Sequence, residues 1–184
     1  MRFKNKNVIL PEPWVQPGPA NDEIWYTSSD ENIVTPHKAS SLPTIVSNTY
    51  VNGKGVIKFA TDVTIIGDKA FGWCSSLTSV TIPNSVTGIG QSAFSSTGLT
   101  SVTIGNSVTS IDKDAFYGCK VLTSIEIPNS VTNIGANAFS FCESLTTISY
   151  TGTTAQWNAI TKGWNWHNKV PATVVHCTDG DAPI

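Results

Sequence analysis

Charged residues are scarce in this sequence, which has 11 Lys and Arg and 13 Asp and Glu among its 184 residues. The net charge is −2, and the chain contains no long basic or acidic run. A nucleic-acid-binding surface needs clustered Lys and Arg to neutralise phosphates. The composition therefore argues against DNA or RNA as a partner, and uncharged polar groups must cover most of the surface.

Long apolar runs are also missing. A membrane-spanning helix needs about 20 consecutive apolar residues, and no segment approaches that length. A secretory signal needs about 7–15 apolar residues behind its charged start, whereas only Val8, Ile9 and Leu10 precede Pro11. We therefore expect no membrane span, and we recognise no signal peptide in this chain.

Motifs for catalysis and cofactor binding are absent or weak. The histidines, His37, His167 and His176, are scattered and lack the spacing of metal ligands. The stretch 88–93 matches a dinucleotide fingerprint in its letters alone, because no βαβ unit surrounds it. We expect no metal, no cofactor and no enzyme activity. The remaining enzyme hypothesis would place a site around His167 or His176, which lie outside the repeats.

The dominant feature of the sequence is an internal repeat of 22 or 23 residues, a period typical of solenoids. Phenylalanines at 71, 94, 116 and 139 follow at intervals of 23, 22 and 23 residues, and each is preceded by Ala. One residue is missing between Phe94 and Leu99. The other apolar positions that keep step are Ile66, Ile89, Ile111 and Ile134; Leu77, Leu99, Leu122 and Leu145; Val80, Val102, Ile125 and Ile148; Ile82, Ile104, Ile127 and Tyr150; and Val86, Val108 and Val131.

Each repeat has the pattern of a short strand, a turn and a second extended piece. Val80-Thr81-Ile82 alternates as a strand does, and Pro83-Asn84 supplies turn chemistry. Gly67, Gly90 and Gly135 follow the second extended piece, where we expect a positive φ. The Ala-Phe segment is expected to form one or two helical turns.

One repeat cannot fold alone. About seven inward side chains gain roughly 1.5–3 kcal/mol each on burial, whereas ordering each backbone residue costs roughly 1–2 kcal/mol. Stacking covers both open faces of a coil and pairs its strand with its neighbours. Cys74, Cys119 and Cys142 recur at one repeat position, which predicts buried thiols; a bridge between Cys119 and Cys142 stays open as an alternative.

The segments outside the repeats are expected to close the stack. An Asn52-Gly53 turn predicts a hairpin before the first coil, and Thr153 or Thr154 should cap a short helix after the last one. Trp157, Trp164 and Trp166 are expected to form the core of the C-terminal cap, with a carbohydrate-binding platform as the alternative. The predicted parts are a proline-rich extended arm (1–22), an N-terminal cap (23–54), the repeats (55–150), a C-terminal cap (151–178) and a tail (179–184).

The unit Leu77-Thr-Ser-Val-Thr-Ile-Pro-Asn-Ser-Val-Thr-Gly-Ile-Gly-Gln-Ser-Ala-Phe94 resembles the BspA-type leucine-rich repeat, and Tyr150-Thr-Gly-Thr-Thr-Ala-Gln-Trp157 is similar to the usual C-terminal cap of such proteins. The resemblance covers residues 55–180. It implies a leucine-rich-repeat solenoid, a β-rich α/β fold with one parallel strand per coil. It also implies a bacterial surface protein that adheres to host matrix proteins or other cells, with no shared catalytic residues.

Two groups of residues are candidates for ligand binding. Outward strand positions should line a concave sheet, either as a solvated hydroxyl ladder or as a ligand face; the candidates there are Ser79, Thr81, Ser101, Thr103, Ser124 and Glu126. Trp73, Tyr117 and Phe141 occupy the loop after the repeat phenylalanine, either as contact anchors or packed against the next coil. Trp14 is the candidate docking residue of the arm.

Two hypotheses for the function follow. The first is a non-catalytic module that binds a protein or glycan of a host or bacterial surface, located at the cell surface or outside the cell. The alternative is a structural component of a larger assembly, such as a virus particle or envelope complex, docked through residues 1–22.

Overall fold

The computed structural model describes residues 18–37 and 41–184, in which the repeats stack as coils of a β-solenoid. Each coil has three sides: a longer strand, a two-residue strand and a series of turns. The longer strands and their hairpin extensions are β1 (Glu23–Ser28), β2 (Ile45–Val51), β3 (Lys54–Phe59), β5 (Leu77–Thr81), β7 (Ser101–Thr103), β9 (Ser124–Ile127), β11 (Thr147–Tyr150), β13 (Val174–Cys177) and β14 (Gly180–Pro183).

The two-residue strands form a second, entirely parallel sheet in the order β12-β10-β8-β6-β4. They are β4 (Ile65–Ile66), β6 (Gly88–Ile89), β8 (Ser110–Ile111), β10 (Asn133–Ile134) and β12 (Thr161–Lys162). The longer strands fall into two sheets, ordered β2-β3-β1-β5-β7 and β14-β13-β11-β9. The predicted solenoid, with one parallel strand per repeat, is confirmed.

The repeat phenylalanines form a single file through the core. Phe71, Phe94, Phe116 and Phe139 are fully buried, and successive ring centroids lie 5.3 Å apart with planes within 9° of parallel. Offset stacking adds about 0.5–1.5 kcal/mol per aromatic pair beyond burial. Trp166 ends the file with its ring edge-on to Phe139, at 6.2 Å.

The Ala-Phe segments form turns instead of the helical turns that the sequence predicts. Backbone N–H groups here point to the next coil: Phe71 donates to Ala93 and Trp73 donates to Ser95, both at 2.7 Å. The residues with a positive φ lie four positions apart in each turn segment, as Lys69 and Trp73 do. The N–H groups between these donors close local turns, since Ala70 donates to Gly67 and Gly72 donates to Lys69. Alternate N–H groups thus serve the turn and the neighbouring coil, in place of the i to i−4 bonds of an α-helix.

The prediction of positive φ at Gly67, Gly90 and Gly135 is wrong. Positive φ occurs two residues later, as at Asn137 with 56°. The glycines lie where neighbouring coils approach closely, and Asp112 takes the same position in one coil. A Cβ added at Gly135 would lie 2.4 Å from the backbone nitrogen of Lys113. The consensus glycine therefore brings coil backbones together, and Ser, Asp, Asn or Lys adopts the left-handed conformation.

The N-terminal cap inserts β1 into the stack. The 23-residue interval places β3 one repeat before β5, but β1 lies between them and pairs antiparallel with both. Its Ile24 and Tyr26 are buried. Gly55 makes room for the Tyr26 ring, since a Cβ there would lie 2.1 Å from the ring.

The arm is shorter at its C-terminal end than the sequence predicts. Asn21 and Asp22 accept hydrogen bonds at 2.8 Å from the backbone N–H groups of Val63 and Phe59. These carbonyls satisfy donors of the first coil, so residues 21–22 belong to the cap. Of the rest of the predicted arm, residues 18–20 form neither helix nor strand, and residues 1–17, including Trp14, lie outside the described residues.

The C-terminal cap contains the only helix in the described ranges, α1 (Thr154–Ala159). Thr153 is its N-cap, and Gln156 completes a capping box. The predicted tail at 179–184 is wrong, because β14 pairs antiparallel with β13 and buries Ala182. Asp179 also fixes the helix, since its carboxylate accepts from the N–H of Thr154 at 2.7 Å.

We predict that Phe94→Ala lowers the free energy of unfolding by about 3–5 kcal/mol, because it opens a cavity in the file and removes two stacking partners. Urea denaturation followed by circular dichroism measures the change. Trp164→Ala is the control, because Trp164 is 75% exposed; its effect should stay within about 0.5 kcal/mol. Equal losses in both variants would contradict the proposed role of the file.

A second prediction distinguishes two roles in the turns: close approach of neighbouring backbones at Gly135 and left-handed backbone conformation at Asn137. Gly135→Ala should destabilise the fold by about 1–3 kcal/mol, because its methyl group meets the neighbouring backbone. Asn137→Gly should leave the stability unchanged or raise it, because glycine favours the φ that Asn137 already has. Thermal melts of both variants test this, and the reverse ranking would refute it.

Candidate functional site

The strand face is the outward side of the longer strands. Ser101, Thr103, Ser124 and Glu126 are exposed there, and Ser79 and Thr81 are half-buried. Strand alternation directs them outward, since Val80, Val102 and Ile125 between them face the core. All six strand candidates therefore lie on one polar surface.

β1 extends the strand face and occupies part of it. The hydroxyl of Thr27 lies 2.7 Å from those of Thr78 and Ser79. Trp25 stands opposite Thr81, and the Lys54 ammonium lies 3.1 Å from the centroid of its ring. Neighbouring strands thus already contact the two N-terminal candidates of this face.

The turn face is the side formed by the turns before and after each repeat phenylalanine. Trp73 is 58% exposed, and the rings of Tyr117 and Phe141 lie 5.3 Å apart. The predicted aromatic residues are therefore brought to one side of the solenoid, on three of the coils. Trp164, which is 75% exposed, belongs to the same series of turns. Its carbonyl accepts a hydrogen bond from the N–H of Asn137, just as the carbonyl of Ala136, one coil earlier, accepts from the N–H of Asp114.

The prediction that Trp164 lies in the core of the C-terminal cap is wrong, whereas Trp157 and Trp166 are buried there. A signal was available, because Gly163-Trp164-Asn165 matches the unit Gly135-Ala136-Asn137. That unit carries an exposed or half-buried side chain at its second position in every coil. Extending the repeat through the cap would have placed Trp164 on the surface.

Two aromatic residues of the turn face have a left-handed backbone. Trp73 has a φ of 61°, and Phe141 has a φ of 62°. In the coil that lies between those of Ser96 and Phe141, the equivalent residue is Gly118, with a φ of 69°. A non-glycine residue held in this region costs on the order of 1–3 kcal/mol. The fold accepts glycine there, so an aromatic side chain at this position is not required by the backbone.

Two open clefts adjoin at Trp73. The first cleft has a volume of about 380 Å³ and is lined by His37, Asp68, Lys69, Trp73 and Gln91. The second cleft has a volume of about 270 Å³ and is lined by Trp73, Ser92, Ser95, Ser96, Asp114 and Tyr117. The Trp73 side chain is therefore the wall that the two clefts share.

The histidines outside the repeats have ordinary structural surroundings. His176 Nδ1 lies 2.8 Å from an oxygen of Asp181, and both side chains are more than half exposed. The His167 ring packs on Trp166, and burial lowers the pKa of His167. In the described part of the chain, no hydrogen bond joins His176 to a hydroxyl nucleophile.

The repeat cysteines are free thiols. Cys119 Sγ contacts the carbonyl of Phe94 at 3.1 Å, and Cys142 Sγ contacts that of Phe116 at 3.2 Å. The hydrogen bond with Cys119, together with burial, raises the pKa of Cys142 well above its usual range. Because the thiolate is the reactive form, Cys142 is an inert part of the core.

Across residues 18–37 and 41–184, no three or more His, Cys, Asp or Glu side chains converge as metal ligands would. No helix in these same ranges has the length and apolar character needed to cross a membrane.

Comparison with solved structures gives related solenoids. The leucine-rich repeat protein of T. pallidum is 29% identical, with a TM-score of 0.56, over 63% of this chain and 53% of that one. The pneumococcal vaccine antigen PcpA is 23% identical, with a TM-score of 0.51, over 81% of this chain and 44% of that one. This chain thus spans about half the length of the T. pallidum protein.

A leucine-rich cell surface protein of Faecalibacterium prausnitzii is 36% identical over 56% of this chain and 34% of that one, with a TM-score of 0.40. Curated protein sequences gave no significant match. The family model for the BspA type leucine-rich repeat region matches residues 44–160 in six copies. Because that match covers more than half of the sequence, the chain belongs to the BspA-type leucine-rich repeat family.

Proposed function

We propose that this protein is a non-catalytic recognition module of a bacterial cell surface, and that its turn face binds a protein or glycan partner. The observation that carries the proposal is Trp73, an exposed aromatic residue on a left-handed backbone. Membership of a family typical of surface proteins supports the location, and binding of other proteins is the usual role of leucine-rich repeats.

Packing does not account for Trp73. More than half of its surface is exposed, so the side chain gains only part of the burial energy of a core tryptophan. Its backbone conformation is unfavourable for any residue except glycine. A residue that is costly for the fold and exposed to solvent is best explained by a contact outside the chain.

The other turn-face aromatics extend the surface that Trp73 begins. Tyr117 and Phe141 contact each other from adjacent coils, and Trp164 follows on the last coil. Aromatic side chains are enriched among the residues that contribute most to binding energy. A series of them on the coils before and after that of Ser96 suits an elongated partner.

The strand face is the second candidate surface. It carries short hydroxyls and Glu126, while its one aromatic residue in the described strands, Trp25, already contacts Lys54. Short hydroxyls contribute little when they are exchanged from water to a partner. We therefore favour the turn face, and a strand-face variant serves as the comparison.

We predict that Trp73→Gly weakens partner binding by more than about tenfold, the effect of losing a major contact residue. The same variant should leave the free energy of unfolding unchanged or raise it by up to about 1 kcal/mol, because glycine relieves the left-handed backbone. Binding is measured on immobilised extracellular-matrix preparations and bacterial surface fractions, and stability by urea denaturation.

Ser101→Lys is the strand-face comparison, and it should leave binding unchanged. If Ser101→Lys abolished binding while Trp73→Gly did not, the turn face would be the wrong surface. If Trp73→Gly instead lowered stability by several kcal/mol, Trp73 would be a packing residue and the proposal would lose its basis.

A further inference from the structure

The second cleft exists because one coil departs from the repeat. Ser96 occupies the left-handed position that Trp73 and Phe141 occupy in other coils, with a φ of 56°. The loop around it, 95–98, is also one residue shorter than its counterparts. Small residues in this coil leave an opening between Trp73 on one side and Tyr117 on the other.

The backbone around the clefts has few groups left for a peptide partner. The N–H groups of Lys69 and Trp73 donate to Gln91 and Ser95 in the next coil, and that of Ser96 donates to Tyr117. An extended peptide binds by pairing with unpaired backbone groups of this kind. Recognition in the clefts must therefore come from side chains.

The side chains that line the clefts are aromatic or polar. Among the described residues that line the clefts, hydroxyl, carboxylate, amide, imidazole and ammonium groups accompany the aromatic rings, and Val, Leu and Ile are absent. A protein partner would need an apolar pocket for its own anchor residues. Lys69 is the one Lys or Arg among the described residues that line the clefts, and Asp68 and Asp114 line them as well. These described residues therefore form no basic cluster for sulfate or phosphate groups.

We infer that the paired clefts bind a neutral saccharide chain, with one sugar ring against Trp73 and the chain continuing toward Tyr117. This inference rests on the proposed function and names the partner class of the turn face. A pyranose ring has an apolar C–H face, which packs on an aromatic ring, and a rim of hydroxyls. The exposed Gln91 and Ser96 and the half-buried Asp114 supply hydrogen-bonding groups for that rim.

The two clefts require a ligand longer than one ring. Each is open to solvent, and the second cleft is below the range of about 300–1,000 Å³ that encloses a compact ligand. Because both clefts share Trp73, an oligosaccharide can occupy both at once, and its affinity should rise with chain length until both are filled.

The test uses an array of neutral oligosaccharides made of hexose and N-acetylhexosamine units, followed by calorimetric titration of the best-bound series from monosaccharide to hexasaccharide. We expect the unmodified protein to bind the longer members with a Kd below about 1 mM. Trp73→Gly should weaken binding at every length by more than about tenfold, because it removes the shared wall.

Ser96→Trp should abolish the gain in affinity with length, because the new ring fills the second cleft while the first stays open. Trp73 and Phe141 show that this fold accepts large aromatics at the same backbone position. Glu31→Trp is the matched control, with an exposed left-handed residue of φ 56° outside the clefts. Asn137→Gly is the control for Trp73→Gly, and both controls should bind as the unmodified protein does.

The possible failures are distinct. If no neutral saccharide binds while Trp73→Gly still reduces attachment to matrix or cell-surface fractions, the partner is a protein, and the saccharide inference fails alone. Saccharide binding that is insensitive to Trp73→Gly and Ser96→Trp would overturn the assignment of the clefts. A clear preference for acidic over neutral chains would also overturn it. If the unmodified protein did not attach to any matrix or cell-surface fraction, the proposed function would be overturned.

Discussion

The rest of the structure depends on a constant spacing between coils, which backbone hydrogen bonds impose on all three sides. Strand pairing fixes the side of the two-residue strands throughout and the longer-strand side except between β7 and β9, and the turns fix the third side. Each coil is thereby held at the distance at which its phenylalanine stacks on the next, as between Phe94 and Phe116. Glycines such as Gly135 are part of the same constraint, because a side chain there would push two backbones apart.

The periodic part of the fold could be predicted because identical spacing in sequence requires identical positions in space. The file of phenylalanines, the two-residue strands and the buried cysteines all follow from this. The position of β1 could not be predicted, because it has no counterpart in the repeat and its place depends on which strand edge it covers. The role of the consensus glycine could not be predicted, because a need for positive φ and a need for close backbone approach favour the same residue.

The candidate site was only partly accessible to sequence reasoning. Trp73, Tyr117 and Phe141 stand out because they vary where the core positions do not. Their backbone conformations, and the clefts on either side of Trp73, depend on how neighbouring turns face each other. Ser96 alone does not predict a cleft from the sequence. Its small side chain leaves an opening only because Trp73 and Tyr117 lie on either side of it.

The strands that close the stack have a consequence for the architecture as a whole. β1 and β14 run antiparallel to the strands beside them, so the parallel ladder is interrupted at both caps. Whole coils can therefore be added or removed between the caps while each cap keeps its own contacts. The number of coils then sets the distance between Trp73 near one end and Trp164 near the other, and with it the length of the surface that carries the exposed tryptophans.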